Sequence, residues 1–194
     1  MIFKIIVIGF FTLLLNLSAQ DSAVKLNHYL LLPKTIEILD VINQEIKEKT
    51  NTNIAVYAIS DSNEANYKQI IKEYEEENIN KSYFLVVFVL DIKKIELILS
   101  GDLKKIINKE TIYWDYMVPL IPQKAQELNS ERISAIILNG VISFVEQLSE
   151  EKEVHFEILA ELTKGNTTNN ILKFIFYAMA LSLLVLFIYR MKKG

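Results

Sequence analysis

The sequence predicts an α/β domain, a mostly parallel sheet with one antiparallel hairpin flanked by helices, followed by a C-terminal transmembrane helix. Three observations predict it. Short apolar runs alternate with stretches of helical period, as expected of a sheet covered by helices. Two apolar runs, Tyr83–Leu90 and Ile95–Ser100, are separated only by Asp91-Ile92-Lys93-Lys94 and read as a β-hairpin. The apolar residues are also unevenly spread: 51% of the 194 residues are hydrophobic, but many of these crowd into the two ends.

The first strand is placed around Val24–Tyr29. Pro33-Lys34-Thr35 then opens a helix, with Ile38, Leu39, Ile42 and Ile46 on one face and Glu37, Glu45 and Lys49 largely opposite. Thr50-Asn51-Thr52-Asn53 ends it. Ile54–Ile59, an apolar run between polar clusters, is a buried strand. Asp61-Ser62-Asn63 reads as a turn and cap before a helix over Glu64–Glu77, which carries Tyr67, Ile70, Ile71 and Tyr74 on one side. Tyr83–Leu90 has eight consecutive apolar residues, mostly aromatic or β-branched, and is predicted to be a central strand buried on both faces. After the hairpin, Leu103–Ile107 begins a short helix. The aromatic stretch Ile112–Met117 follows, then Pro119 and Pro122. Asn129-Ser130 caps a helix over Glu131–Leu148, where Ile133, Ile137, Val141, Phe144 and Leu148 recur at helical spacing. Residues Ser149–Lys164 are charged with scattered apolar positions and read as a weaker helix.

The ends predict topology. A basic start, an apolar run from Ile5 to Leu15 and a small residue at Ala19 make a secretory signal over residues 1–19. As a helix that run would span about 16 Å, short of a hydrocarbon core of about 30 Å. Phe174–Tyr189 is free of charge, and Lys173 can snorkel to the headgroups. Its Leu, Ile, Phe and Val residues contribute about −3 to −6 kcal/mol to insertion. Arg190, Lys192 and Lys193 follow at once, which places the tail in the cytoplasm. The chain is therefore read as a signal peptide (1–19), an extracytoplasmic domain (20–150), a helical and polar linker (151–170), a transmembrane helix (171–189) and a cytoplasmic basic tail (190–194). The expected location is a bacterial inner membrane, single-pass, with the domain in the periplasm.

Composition narrows the chemistry. The absence of cysteine excludes disulfides, thiolate metal sites and thiol nucleophiles. Five glycines, of which only Gly101 and Gly140 fall in the predicted domain, leave no glycine-rich phosphate cradle. Residues 20–170 carry 16 basic and 24 acidic side chains, a net charge of −8, which argues against a nucleic-acid partner.

The order of elements and several local motifs resemble the TPM domain family of thylakoid-lumen and bacterial envelope proteins. Leu26-Asn27-His28-Tyr29-Leu30-Leu31 looks like the family's opening strand and turn. Thr50-Asn51-Thr52-Asn53-Ile54-Ala55-Val56 looks like the approach to its second strand, and Leu85-Val86-Val87 followed by Ile95–Gly101 is similar to its hairpin, which ends in glycine. Val118-Pro119-Leu120 and Gly140-Val141 look like its closing helices. The resemblance covers about Lys25 to Leu148. It implies a signal peptide, one α/β domain and an anchor, and, for some members, acid phosphatase activity or calcium binding. The acidic positions depart from the pattern: Asn27 stands where the family has aspartate, Lys81-Ser82-Tyr83 where it has Asp-Asn-Gly, Lys104 where it has glutamate, and Asn108-Lys109 at a later acidic position. A hard cation needs clustered carboxylate oxygens, so these changes weaken the case for calcium, and no cofactor is expected.

Three aspartates remain as candidate metal or catalytic positions: Asp102, between a strand and a helix, and Asp61 and Asp91, at strand ends where α/β sites gather. Each is more simply read as a cap or turn residue. His28 with Asp21 or Asp40 and a serine would be a nucleophilic relay, but no G-x-S-x-G elbow accompanies it. Tyr113, Trp114 and Tyr116 are read first as core-packing residues, with a partner-binding patch as the alternative. Three functions follow: a non-enzymatic accessory, assembly or maintenance factor for a membrane or envelope complex; a divalent-metal-dependent acid-phosphatase-like hydrolase; or a ligand-binding sensory module. The short tail cannot signal alone, and the weakened acidic set favours the first over the second.

Overall fold

The computed structural model describes residues 22–26, 28–62, 66–123 and 127–162. The predicted signal peptide and transmembrane helix lie outside them. The chain divides into two compact units, one through Val154 and one from His155; in the second, residues 157–162 are helical.

The first unit is α/β, with a mixed four-stranded sheet of order β1-β2-β3-β4. Strands β1 (Val24–Leu26), β2 (Thr52–Ile59) and β3 (Ser82–Val89) are parallel, and β4 (Lys94–Leu99) pairs antiparallel with β3. Helix α1 (Pro33–Thr50) links β1 to β2, and α2 (Tyr67–Glu77) links β2 to β3. A short helix α3 (Lys109–Thr111) runs into a π-helical stretch, Ile112–Met117, and the long α4 (Ser130–Lys152) closes the unit.

The central strand is as its composition predicts: every residue from Tyr83 to Val89 is buried. Alternation sends Tyr83, Leu85, Val87 and Val89 to one face, where with Ala55 and Ile59 they pack against Tyr74, Ile70 and Ile71 of α2. Tyr74 sits edge-on between Tyr57 and Tyr83, at 6.1 and 5.3 Å between ring centroids, a geometry that sets ring edges against ring faces. Phe84, Val86 and Phe88 point the other way, and Phe84 stacks on Phe144 of α4 at 4.3 Å. Helix α4 is long and apolar enough to cross a membrane by length and composition. A core helix passes the same test, and here Ile133, Ile136, Ile137, Val141, Phe144, Val145 and Leu148 are all at most 1% exposed within the domain.

Several boundaries differ from the predicted ones. The first strand stops at Leu26, and His28–Leu30 form a 3-10 turn. The second begins at Thr52, because Asn51 turns left-handed (φ 55°) and returns its N–H to the Lys47 carbonyl, closing α1 sharply. Helix α2 starts at Tyr67, not Glu64: the cap is Asn66, whose side chain accepts from the Gln69 N–H. The predicted helix over Leu103–Ile107 contracts to one 3-10 turn, Leu103–Lys105. Helix α4 runs one turn beyond Leu148, to Lys152, where Glu153 adopts a left-handed conformation and Val154 N–H bonds the Ser149 carbonyl.

Candidate functional site

The structure does not bring the three candidate aspartates together. Asp61 and Asp91 follow β2 and β3 at the carboxyl ends of the parallel strands, the edge where α/β folds commonly bind ligands. There the Ser62 hydroxyl donates to Asp91 Oδ2 at 2.5 Å, joining the two loops. That bond, together with backbone N–H donors, holds the Asp91 carboxyl below its ordinary range despite some desolvation. Asp102 lies at the opposite edge, because the antiparallel β4 returns the chain to the start of β3. A strand of eight residues separates the two edges, about 25 Å. Among the described residues no three His, Asp or Glu side chains gather as a metal site would require.

Asp102 is embedded in hydroxyls. It accepts from Ser82 Oγ at 2.7 Å and from Ser100 Oγ. Ser82 in turn accepts from Thr52 Oγ1 at 3.2 Å, and Ser100 Oγ accepts from the Tyr83 N–H at 3.1 Å. The chain of donors ends on the carboxylate and knits the start of β2, the start of β3 and the end of β4. Partial burial pushes the Asp102 carboxyl up, but the Ser100 and Ser82 hydrogen bonds, with the backbone N–H groups of Asp102 and Leu103, outweigh it and hold the group below the ordinary carboxylate range. So placed, Asp102 is a weak base and a poor activator of Ser82; the arrangement is suited to pinning strands. It borders a concavity of about 490 Å³ that also meets Asn51, Lys81 and Lys152.

A pH dependence follows. A carboxyl whose folded value is depressed contributes stability above its unfolded value, and loses it as pH falls through the folded one. Asp102 is largely solvent-facing, so screening discounts the effect. Asp102→Ala is expected to lower the melting temperature by about 2–4 °C at neutral pH. The gap to the unaltered chain should close on the acid side of the ordinary carboxylate range. Thermal melts of both proteins across that pH range check it.

The aromatic stretch is not core. Trp114 is 58% exposed and Tyr116 37%, while Ile112 and Met117 are buried and turn the stretch inward at its ends. Tyr113 is half-buried and meets Trp114 edge-on at 4.9 Å. The π-helical geometry rotates the aromatics outward, and such π segments often mark functional positions. The stretch is held from both sides. Asn108 caps α3 through its side chain, while its backbone N–H donates to Gln147 Oε1 of α4 at 2.8 Å and the Asn139 amide reaches the Tyr116 carbonyl at 3.3 Å.

Of the two acids considered beside His28, Asp40 is engaged elsewhere. Asp40 accepts from Ser22 Oγ at 2.9 Å and from the Ala23 N–H at 2.7 Å, so it ties the approach to β1 onto α1. Asp21 lies outside the described residues.

One feature had no contiguous signal in the sequence. A cleft of about 650 Å³ opens beside β2, between the C-terminal parts of α1 and α2, with Lys25, Lys47 and Lys81 at its walls.

No family model matches the chain, and no curated protein does. Among solved structures the chain is similar to the N-terminal domain of a protein from P. gingivalis, determined in solution, with a TM-score of 0.57 at 17% identity over 73% of this chain and 90% of that domain. At that identity the likeness shows the fold alone: one α/β domain with a mixed sheet between helices.

Proposed function

We propose that the chain is an extracytoplasmic domain of the TPM type, exported by its N-terminal signal and anchored by its C-terminal apolar segment. In this reading it is a non-enzymatic accessory factor that assembles or maintains a protein complex of the bacterial inner membrane. The observation that carries the reading is the exposed Trp114–Tyr116 surface, displayed on a braced π-helical turn. Large aromatics held rigid and open to solvent concentrate binding energy at protein interfaces. The reading is also supported by the dispersal of Asp61, Asp91 and Asp102 to opposite edges of the sheet, since hydrolytic metal chemistry needs its carboxylates within one site.

The test is crosslinking on intact cells with a reagent that cannot pass the inner membrane. One stoichiometric membrane-protein adduct is expected. Trp114→Ala should weaken recovery by at least about tenfold, the loss of one modest aromatic anchor. An adduct formed only by a membrane-permeant reagent would overturn the topology. No adduct with either reagent, or one indifferent to Trp114, would overturn the accessory role.

A further inference from the structure

Trp114 is the one tryptophan of the chain, and more than half of it stands in solvent. Among the described residues its ring meets Tyr113, with 89° between the planes. A single perpendicular neighbour covers at most one face of an indole, so at least one face of Trp114 is open. Ile112 and Met117 are completely buried on either side. The turn is therefore anchored before any partner arrives, and little backbone freedom is lost on binding.

Two carboxylates flank the open ring. Asp115 follows it directly and is exposed. Glu110, also exposed, lies four residues before it, about one helical turn below. Among the described residues neither carboxylate makes a hydrogen bond or an ion pair. Lys109 is the base of this run, and it borders a hollow of about 180 Å³ beside β4 that Glu96, Glu110 and Tyr113 also line. The neighbours of Trp114 in the turn thus offer acceptors and a π-face but no internal cation. Residues 20–170, with 16 basic and 24 acidic side chains and a net charge of −8, attract a basic partner at longer range.

We propose that this turn takes an arginine-bearing segment of the partner protein, with a guanidinium stacked on Trp114 and hydrogen-bonded to Asp115 and Glu110. The assignment rests on the partner-binding reading of the same surface and adds the partner's chemistry. An open indole face attracts a cation through its ring quadrupole. Arginine suits the place better than lysine, because its planar fork can lie flat on the ring while its edge donates to a carboxylate. Arginine is also, with tryptophan and tyrosine, among the residues that concentrate binding energy at interfaces.

The single tryptophan makes its own probe. The full chain in phosphatidylcholine nanodiscs is titrated with the blocked peptide Gly-Arg-Gly-Arg-Gly and followed by Trp114 emission and acrylamide quenching. Free quenching is expected before the peptide is added, then a saturable change with protection from quenching. The lysine version should bind about fivefold more weakly, and the citrulline and glutamate versions should not bind. Asp115→Asn alters an exposed side chain, so its circular dichroism should match the parent, and it should bind the arginine peptide about fivefold more weakly. Lys109→Gln should not weaken binding. Absence of a saturable response, equal binding of the citrulline peptide, or an Asp115→Asn variant that binds as the parent does would each overturn the proposal. An indole already shielded from acrylamide in the nanodisc would overturn it in favour of a lipid surface. The two readings fail separately: an inert arginine peptide beside a crosslinked adduct that still depends on Trp114 strikes the arginine assignment and leaves the accessory role.

Discussion

Phe144→Ala is expected to remove about 3–5 kcal/mol of stability, the cost of emptying a fully packed aromatic site. The ring is completely buried and lies nearly parallel to Phe84, itself completely buried at the amino end of the central strand, with 18° between the planes. That one contact joins the longest helix to the strand at the middle of the sheet. The space left by the ring is bounded by β-strand backbone that cannot collapse into it. Domains of this size are stable by about 5–15 kcal/mol, so the variant should stand close to unfolding at physiological temperature. Denaturant unfolding checks it: the midpoint should fall with little change in slope. The measurement also decides the role of α4. A loss below about 1 kcal/mol would mean that this apolar helix is not the core element of the domain.

Gly140 gives the second large effect, and its sign depends on a neighbour. A Cβ at this position would stand 2.6 Å from Met117 Sδ and 2.9 Å from its Cγ. Met117 is completely buried at the end of the π-helical stretch, so it cannot swing into solvent. Glycine is what lets that stretch lie directly on α4. Replacing it with alanine gains about 1 kcal/mol of helix propensity but overpacks the contact, which costs about 1–3 kcal/mol. Gly140→Ala should therefore destabilise slightly and Gly140→Val by about 2–3 kcal/mol, with a branched side chain driven into the thioether. In a Met117→Ala background the obstruction is gone, and the same Gly140→Ala change should stabilise, by up to about 1 kcal/mol. A double-mutant cycle by denaturant unfolding reads the reversal; the same sign in both backgrounds would mean that contact with Met117 is not what excludes a side chain. Gly101 is the natural control, since a Cβ there meets nothing within 4 Å.

These two residues illustrate how unevenly the sequence displays its structure. The spacing of Ile133, Ile137, Val141, Phe144 and Leu148 announces a buried helical face, and the structure has it. The unbroken apolar run of the central strand announces burial on both faces, because no polar residue marks a solvent side. The hairpin is legible for a similar reason, its two strands being joined by a four-residue connection from Leu90 to Lys93. Local capping is less legible. Asn66, not the preceding Asp61-Ser62-Asn63 cluster, caps α2, and several capping residues in a row leave the sequence without a means of choosing among them.

The candidate sites were legible only as residue types. Asp61, Asp91 and Asp102 all follow or border strands, so along the chain they look equivalent. The reversal of β4 carries Asp102 to the far edge of the sheet, and only the strand directions reveal it. Trp114 and Tyr116 are apolar enough for a core, and their helical spacing does not say which way they turn. The π-helical register, set by the buried Ile112 and Met117 on either side, exposes them.

The sequence by itself determined what depends on near neighbours and on totals: helix and strand periods, the hairpin, the acidic balance of the middle region, and the chemistries that the absence of cysteine and the scarcity of glycine exclude. The tertiary structure decided what depends on distance across the fold. It separated the aspartates, turned the aromatics outward, fitted Met117 against Gly140, and satisfied the Ile54 N–H of β2 with the Asn43 side chain of α1. The physical reason is that periodicity is a property of a single element, whereas a site is an encounter between elements, fixed by strand order and direction that no local window records.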